Sequence, residues 1–443
     1  MKEMPNKLHD LIPGGAHTYS RGDDQFPDNA PAILQRGEGC YVYDENDEKF
    51  LDYGMGLRSV NVGYGNREIA NAAYEEILKG NNLTRASITE LRAAELITEM
   101  IPSAEMVKFA KHGSTVTTAA VKLARAYTNR KYVAIPVEHP FFSFDDWFIG
   151  STLLKRGIPE EQTTLTLKFN YNDIKSLERL FEEYPNQIAA VMLEPATTVG
   201  PIEMNGPKTN HGKAYTFLHA VKDLCARNGS VFILDEMITG FRWDINGAQG
   251  FYDVNPDIST FGKAMANGFA VAALTGRKDI MGIGGILDKG AERVFLASTT
   301  HGAEMSALGA FIKTTEILKR ENVIDHIWQY GRALIEGMNS LAKDYGIEEY
   351  FRVEGYGCSP NYVTLGKDQN PSFSFRTLYS QEMVKRKILM PYIALCFSHN
   401  DNELNMTLDA VRGALCVYKN ALDDGIDKYL HSQIIKPVFR KYN

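Results

Sequence analysis

The chain has 443 residues, of which 44% are hydrophobic and 23% charged, and this composition is typical of a soluble globular protein. Because so long a chain exceeds one ordinary hydrophobic core, we expect one large domain and a smaller companion. The net charge of −7 argues against the basic surface of a nucleic-acid-binding protein. The apolar runs are far shorter than the roughly 20 residues that a membrane-spanning helix requires.

The first residues and the cysteines bear on where the protein works. The opening MKEMPNKLHD is polar and lacks the apolar segment of a signal peptide. The cysteines are odd in number, scattered and free of C-x-x-C pairs, at Cys40, Cys225, Cys358, Cys396 and Cys416. This pattern favours buried thiols in a reducing compartment over disulfides or a zinc site. The sequence therefore predicts a cytoplasmic protein without a metal.

Short strands and helices alternate through most of the chain. Residues 34–53 contain two short strands, Cys40–Tyr43 and Lys49–Asp52, joined by the turn DEND. From Arg67 to about Arg320, helical patterns alternate with apolar strands. The clearest strands are VKFA (107–110), YVAIP (132–136), IAAVMLE (188–194) and VFILD (231–235), and the clearest helices are at 117–129 and 214–228. Such alternation predicts an α/β fold with a mostly parallel sheet covered by helices on both faces.

The pattern changes after Ile324. A long helix extends through Leu341, mixed strand and helix patterns follow, and a helix at about 408–421 lies near the end. We therefore expect residues 67–320 to form the large domain and residues 321–443 a smaller α+β domain, which the N-terminal residues 1–66 join. A substrate cleft between the two domains follows from this division.

Asp235 and Lys263 each follow a buried apolar run. Asp235 ends the strand in SVFILDEMITGFRW (230–243), and ligands of α/β sheets bind at such carboxyl ends. A carboxylate there can keep a pyridine nitrogen protonated, although an acidic cap on the following turn is the alternative. Lys263, in DISTFGKAMANG (257–268), follows Asp235 by 28 residues. This separation allows one helix and one return strand, so both side chains can reach one site; a solvated lysine is the alternative.

A third stretch, HGSTVTTAAVKLARAYT (112–128), places Gly113 and Ser114 at the start of a helix. The free N–H groups and the dipole of a helix start favour a phosphate, although a plain Ser/Thr N-cap explains the same residues. An amine, a carboxylate for a ring nitrogen and a phosphate cradle are together what an enzyme of pyridoxal 5′-phosphate (PLP) needs from its protein.

Together these stretches resemble the class-III, fold-type I PLP-dependent aminotransferases, in the branch of glutamate-1-semialdehyde aminomutase. The resemblance runs from LIPGGAHTYSRG (11–22) to FSHNDNELNMTLDAV (397–411), and DEMITGFR followed by FGK is its most specific part. It implies the PLP-dependent transferase fold type I. It also implies that Lys263 holds the cofactor as a Schiff base, that Asp235 faces the pyridine nitrogen, and that Gly113 and Ser114 bind the phosphate.

The resemblance extends to further residues. Phe141, in EHPFFSF, takes the place of the aromatic that stacks on the cofactor ring, although a core phenylalanine is the alternative. Glu194, in LEPATTVGP, matches a strand-end glutamate near the substrate. Thr300 matches the threonine that reaches a phosphate across the dimer interface, with Thr299 as the alternative register. The resemblance therefore implies a homodimer with a shared active site, with residues 1–66 contributing to the interface.

Arg21 aligns with the arginine that binds a substrate carboxylate in the aminomutase, a geometry that suits a guanidinium fork. A surface arginine is the alternative. The sequence departs from the family in three other places. Thr115-Val116 replace Glu-Ala after the phosphate-binding Gly-Ser, and His301 with GAEM (302–305) replaces an aromatic or Leu followed by Ser-Gly-Asn-Pro. In addition, FDDWFIGSTLLKRGIPEEQTT (144–164) replaces a longer Gly/Ser-rich gating loop. That gate retains an intermediate between two half-reactions, so its loss favours an intermolecular transaminase.

The sequence therefore predicts a transaminase that moves an amino group from an amino acid, glutamate, to an aldehyde or ketone. Its N-terminal segment resembles aminomutase-like proteins associated with bacterial surface sugars, so the expected acceptor is a sugar or sugar acid. Two alternatives remain open, namely the 2,1-aminomutase of glutamate-1-semialdehyde and a PLP-fold protein that binds a ligand without turnover. Neither a nucleic acid nor a membrane is an expected partner.

Overall fold

The computed structural model describes residues 3–287 and 289–442, and the chain divides into two compact units. One unit is Arg67–Glu321, and the other combines Met1–Asn66 with Asn322–Asn443. The second unit is therefore assembled from both ends of the chain.

The helices, in chain order, are α1 (Glu3–Leu11), α2 (Met55–Arg58), α3 (Arg67–Leu78), α4 (Ile88–Met100), α5 (Gly113–Thr128), α6 (Asp146–Ile149), α7 (Glu160–Thr163), α8 (Ile174–Glu183), α9 (Phe217–Asn228), α10 (Gly247–Tyr252), α11 (Lys278–Met281), α12 (Met305–Arg320), α13 (Val323–Asp344), α14 (Phe373–Lys385) and α15 (Asp401–Asp424). The strands are β1 (Leu34–Glu38), β2 (Tyr41–Asp44), β3 (Lys49–Asp52), β4 (Met106–Ala110), β5 (Tyr132–Pro136), β6 (Thr166–Phe169), β7 (Ile188–Leu193), β8 (Val231–Glu236), β9 (Ile258–Phe261), β10 (Ala272–Gly276), β11 (Phe351–Tyr356), β12 (Ser359–Thr364) and β13 (Ile388–Leu389). Short 3-10 helices lie at Tyr19–Arg21, Asp23–Gln25, Lys263–Ala266, Gly282–Gly284 and Ile426–Lys428.

A seven-stranded sheet organises the Arg67–Glu321 unit, in the order β4-β10-β9-β8-β7-β5-β6. β8 is parallel to β7 and β9, and β5 is parallel to β7 and β6. β10 is antiparallel to both of its neighbours, β9 and β4. The carboxyl ends of the other strands therefore lie at one edge of the sheet. This arrangement confirms the predicted α/β fold class.

Buried apolar side chains explain the central position of β7 and β8. Every residue of IAAVML and of VFILDE is buried, as expected of parallel strands between two helical layers. Phe232 of β8 and Leu218 of α9 belong to one apolar cluster. Thr216 caps the start of α9, and Gly229, with a φ of 61°, ends it. The sequence of α9 therefore specifies both its buried face and its ends.

The other unit contains two small sheets and long helices. β1, β2, β3 and β13 form one sheet in that order, and β11 and β12 form an antiparallel pair. Tyr53, just after β3, shares hydrogen bonds with Tyr330 of α13 (2.6 Å) and Thr407 of α15 (2.7 Å). All three residues are buried, so this polar cluster ties the end of a strand to two helices.

The predicted strands are present, and several bounds differ from expectation. α5 begins earlier, at Gly113, because the Gly-Ser-Thr segment forms its first turn. α9 begins later, at Phe217, because Thr216 is its N-cap. α15 begins at Asp401 because Asn400 forms a capping box there. β1 is an additional strand that pairs with β2. No helix in the described part of the chain is long and apolar enough to cross a membrane.

Candidate functional site

Asp235 lies near the carboxyl end of β8 and is 2% exposed. Its Oδ1 accepts hydrogen bonds from the N–H of Met237 (3.0 Å) and the hydroxyl of Thr260 (2.9 Å). Within residues 3–287 and 289–442, no group donates a hydrogen bond to Oδ2. Burial raises the pKa of Asp235 to about 6, against the opposing effects of the Met237 N–H, the charge of Lys263 and the Thr260 hydroxyl. The carboxylate is thus held in one orientation with Oδ2 uncommitted.

Lys263 follows β9, the parallel neighbour of β8, after the single residue Gly262. It begins a 3-10 helix with a φ of 37°, in the left-handed region that costs a non-glycine residue about 1–3 kcal/mol. Its charge lowers the pKa of Asp235, so the two groups lie in one electrostatic environment. The structure therefore brings these two predicted residues together, and the strained backbone is of the kind that clusters at functional sites.

The strand before α5 is β4, which runs in the same direction as β8 and β9. The first turn of α5 therefore lies at the same edge of the sheet as Asp235 and Lys263. Its N-cap residue, His112, provides no side-chain cap. Among the residues that the structure describes, the N–H groups of Gly113 and Ser114 have no acceptor. A helix start with free N–H groups attracts an anion.

The side chain of Met237 lies beside both the start of α5 and the residue before Lys263. A Cβ atom on Gly113 would lie 2.8 Å from the Met237 Sδ atom, and a Cβ atom on Gly262 would lie 2.7 Å from the same sulfur. Met237 thus lies against the predicted phosphate cradle and against the residue before Lys263. The absence of side chains at both glycines is what permits this approach.

Glu194 follows β7 at the same edge and is buried, and His139 lies beside it. The Glu194 N–H donates to His139 Nδ1 (3.0 Å), so the imidazole carries its proton on Nε2. Nε2 is buried and has no hydrogen-bond partner in the described part of the chain. Burial lowers the pKa of His139 to about 3, so the ring is neutral. A buried donor without an acceptor is costly, and a bound ligand can supply the missing partner.

Phe141 follows β5 and is 44% exposed, whereas the adjacent Phe142 is 2% exposed. Its ring meets the Phe148 ring edge-on, with centroids 5.6 Å apart. Phe142 is therefore the core phenylalanine of this pair. Stacking of Phe141 on a cofactor ring stays a prediction.

The segment after Phe141 is fastened to α5 by four side chains that we call the α5 clasp: Thr118, Ser143, Asp145 and Trp147. Thr118 Oγ1 donates to Asp145 Oδ2 (2.5 Å) and accepts from Trp147 Nε1 (2.8 Å). Ser143 Oγ lies 3.1 Å from Thr118 Oγ1 and donates to Asp145 Oδ2 (3.3 Å). The clasp fixes the beginning of residues 144–164, the segment that replaces the gating loop.

A further hydrogen bond joins the clasp region to the phosphate cradle. The Phe144 N–H donates to Ser114 Oγ (3.0 Å). The Ser114 hydroxyl is therefore oriented by the same segment that carries the predicted ring-stacking residue.

Thr300 and Arg21 lie outside this group of strand ends. Thr300 is exposed in a segment before α12, and its carbonyl oxygen accepts a hydrogen bond from Asn82 Nδ2 (3.0 Å). Arg21 ends a short 3-10 helix in the unit formed by the two chain ends, and it is exposed. The roles of both residues stay predictions.

The residues at the sheet edge fit the cofactor that the resemblance implies. The free N–H groups of Gly113 and Ser114 suit a phosphate, and the uncommitted Oδ2 of Asp235 suits a protonated ring nitrogen. The amine of Lys263 suits an aldehyde. Sequence reasoning does not single out His139 or the clasp, although EHPFFSFDDW (138–147) contains His139 and three clasp residues.

Comparisons with known proteins bear on the chemistry of this site. The family model described as aminotransferase class-III matches residues 23–361. The 3-aminobutyryl-CoA aminotransferase of Cloacimonas acidaminovorans is 30% identical over 417 residues, which cover 93% of this chain and 95% of that protein. A glutamate-1-semialdehyde 2,1-aminomutase of Lachnoclostridium phytofermentans is 29% identical over 443 residues, covering 94% of this chain and 98% of that protein.

A solved structure is similar in fold. The FumI protein of Sphingopyxis sp. MTA144, in its PLP internal aldimine form, gives a TM-score of 0.83 at 22% identity. The alignment covers 96% of this chain and 97% of that chain. At this level of identity the likeness concerns the fold.

Proposed function

This chain belongs to the class-III aminotransferase family and uses PLP, and we propose that it transfers an amino group from glutamate to the carbonyl group of a separate acceptor. The observation that carries the proposal is the α5 clasp. Trp147 is 4% exposed, and its hydrogen bond with Thr118 holds the start of residues 144–164 against α5. A segment fastened in this way is poorly suited to opening and closing over a retained intermediate, which an aminomutase requires.

The side chains at the sheet edge have distinct tasks in this reaction. PLP, when bound, supplies an aldehyde that carries the amino group and an electron-poor ring that takes up negative charge from the substrate carbon. Lys263 Nζ would hold the aldehyde of the cofactor, and as a free amine it would move a proton to and from the substrate carbon. Asp235 Oδ2 holds the proton on the ring nitrogen, and its burial strengthens this interaction because the local dielectric is low.

Other groups position the reactants. The N–H groups of Gly113 and Ser114 would hold the phosphate, and Phe141 would pack against the ring. Glu194 lies at the strand end beside Asp235, since β7 and β8 are neighbours, and it would lie near the cofactor and substrate. His139 Nε2 is a buried donor beside Glu194 that can bind an oxygen atom of the bound molecules.

The proposed acceptor is a sugar or a sugar acid of bacterial surface carbohydrate synthesis. Its support is the resemblance of the N-terminal segment, since the names of the two curated relatives mention no sugar. Arg21 would bind the carboxylate of a sugar acid, because an arginine fork matches a carboxylate. A cytoplasmic setting is part of the proposal, and the absence of any cysteine pair in the described residues supports it.

We also propose a homodimer in which Thr300 of one subunit reaches the phosphate site of the other. Support comes from apolar residues that α3 and α4 expose by half or more: Tyr74, Ile77, Leu78, Ile88 and Leu91. The hydroxyl of Thr89 in α4 donates to Glu76 Oε2 of α3 (2.7 Å), so the two helices that carry this apolar patch are joined to each other. Exposed apolar surface is typical of a subunit interface.

The dimer is tested by placing a charge in this patch. Leu78→Glu should give monomers in light scattering, because a buried carboxylate in an apolar interface is strongly unfavourable. Leu153→Glu is the matched control, since both leucines are 64% exposed. A Leu78→Glu variant that remains dimeric would exclude this patch as the interface.

Product analysis tests the reaction. We expect glutamate to convert the PLP form to its aminated form with one 2-oxoglutarate released per site, measured by mass spectrometry. A panel of carbonyl acceptors then identifies the second substrate by loss of the aminated form. Rapid formation of 5-aminolevulinate from glutamate-1-semialdehyde without 2-oxoglutarate would replace the proposal by the aminomutase, the function of one curated relative.

A further inference from the structure

A cavity of about 350 Å³ lies at the C-terminal end of α5, and its walls are basic and polar. It is lined by Arg125, Asn129, Arg130, Lys131, Asn186 and Gln187. These residues belong to the last turn of α5 and to the positions just before β5 and β7, so they lie at the amino ends of the strands. The cofactor site lies at the carboxyl ends. From Gly113 to Arg125, α5 spans about 18 Å at a rise of about 1.5 Å per residue, so the cavity is separate from the cofactor site.

Among the residues that the structure describes, the cations of this cavity have no acidic partners. Arg125, Arg130 and Lys131 form no salt bridge with any carboxylate that the structure describes. The Nη2 atom of Arg125 is buried and has no hydrogen-bond partner in residues 3–287 and 289–442. Burial also lowers the pKa of Arg125, as expected when no anion compensates the charge. Because a buried donor without an acceptor is costly, an Nη2 group of this kind on a half-buried arginine is suited to a site that an anion completes.

Backbone carbonyl groups hold both arginines in place. Arg125 Nε donates to the Lys131 carbonyl oxygen (2.9 Å). Arg130 Nη1 donates to the carbonyl oxygens of Asn228 (2.7 Å) and Ile188 (3.2 Å). These bonds give the arginines a structural role, but neutral carbonyl groups leave both positive charges uncompensated. The charges are therefore fixed in position before a ligand arrives, which reduces the entropy cost of binding.

The dipole of α5 does not cancel these charges. It contributes about half a negative charge at the C-terminal end of the helix, whereas the cavity wall carries three cations. The residues that line the cavity therefore carry a net positive charge.

We propose that this cavity, the α5 basic pocket, binds the phosphoryl group of a small phosphorylated ligand. A phosphomonoester carries a charge of about −1.5 to −2 near pH 7, which matches three cations better than a monocarboxylate does. Guanidinium groups bind phosphate oxygens through paired N–H donors. The volume lies at the lower end of the roughly 300–1,000 Å³ typical of small-molecule sites. Asn129, Asn186 and Gln187 offer amide donors and acceptors to the rest of the ligand.

Calorimetric titration of the PLP-loaded enzyme with inorganic phosphate and with glycerol 3-phosphate tests the proposal. Loading with PLP keeps the cofactor's phosphate site filled. We expect one saturable site per chain, with tighter binding of glycerol 3-phosphate because it can also contact the amides. Binding should weaken as salt is added.

Two variants and one control assign the binding to the pocket. Arg125→Gln and Lys131→Gln should each weaken binding about tenfold or more, the usual cost of a lost charge-assisted hydrogen bond. Lys131→Gln is the safer variant for folding, because Lys131 is exposed and its side chain makes a cation–π contact with Tyr132, 4.7 Å from the ring centroid. Lys208→Gln, a change at an exposed lysine outside the pocket, should leave binding unchanged.

Three results would overturn the assignment. Absence of saturable binding, or equal binding by the wild-type enzyme and Lys131→Gln, would exclude the pocket as a site. Binding of succinate as tight as that of glycerol 3-phosphate would replace the phosphoryl ligand by a dicarboxylate. Tighter binding of inorganic phosphate than of glycerol 3-phosphate would replace the phosphorylated small molecule by free phosphate.

Discussion

Replacement of Asp235 by asparagine isolates the charge at the centre of the proposed cofactor site. Asparagine has nearly the same shape, and its Oδ1 can still accept the hydrogen bonds from the Met237 N–H and the Thr260 hydroxyl. It cannot hold a proton on the ring nitrogen by charge. Loss of a preorganised electrostatic group costs about 10²–10³ in rate. We therefore expect turnover with glutamate to fall by that factor, with much of the cofactor retained.

The same substitution should stabilise the cofactor-free protein. Burial raises the pKa of Asp235 from 3.8 to about 6. Because the pKa is higher in the folded state, the folded protein loses stability as the pH rises from about 4 to about 6, and the loss is constant above that range. A difference of about two pKa units corresponds to about 3 kcal/mol. Asp235→Asn should therefore raise the free energy of unfolding by up to about 3 kcal/mol at pH 8 and about half as much at pH 5.

Urea unfolding of the cofactor-free proteins, at one fixed protein concentration and at pH 5 and pH 8, measures this effect. Asp423→Asn, a change at an exposed carboxylate, is the control and should have little effect at either pH. Equal stability of Asp235→Asn and the wild-type protein at pH 8 would show that another group already compensates the Asp235 charge. Turnover near the wild-type level would show that a different group faces the ring nitrogen.

Three further predictions concern the proposed site. Lys263→Ala should lose the visible absorbance of covalently held PLP, and borohydride should no longer fix PLP to the protein. Lys278→Ala, a change at an exposed lysine, is the control and should keep both properties. If borohydride still fixes PLP to Lys263→Ala, Lys263 is excluded as the attachment point. Trp147→Phe removes the hydrogen bond to Thr118, so equilibrium dialysis should show PLP binding weakened about fivefold, and unchanged binding would show that the clasp does not position the cradle. Arg21→Ala should weaken the apparent affinity for a sugar acid by about 10- to 150-fold in steady-state kinetics and leave that for a neutral sugar unchanged; equal losses for both would reject the carboxylate role.

The sequence predicts the places of Asp235 and Lys263 because local patterns determine them. Each follows a short buried run, and the separation leaves room for α10 and β9, which the structure contains. The start of α5 at Gly113 follows in the same way from a Gly-Ser-Thr segment before an amphipathic helix. The hydrogen bond from Thr260 to Asp235 is not a local property, since it depends on the pairing of β8 with β9.

Non-local pairing also explains the residues that the sequence does not reveal. His139 contacts Glu194 across 55 residues of chain, because β5 and β7 are parallel neighbours. Asp145 contacts Thr118 across 27 residues, so the composition of residues 144–164 indicates a changed loop but not its attachment to α5. The basic residues at the end of α5 have the pattern of a solvated helix end. The approach of β7 to β5 brings Asn186 and Gln187 to the same cavity.

The buried polar groups at the sheet edge lower the stability of the free protein and at the same time prepare it for a ligand. Asp235 is ionised at neutral pH against the cost of its burial, and His139 has a buried N–H without an acceptor. Lys263 adds a left-handed backbone conformation. Each of these costs falls when a cation approaches Oδ2, an acceptor approaches Nε2, or a covalent bond fixes the lysine. Cofactor binding should therefore stabilise the fold by more than the contacts of its phosphate alone, because it also relieves costs that these buried groups impose on the cofactor-free protein.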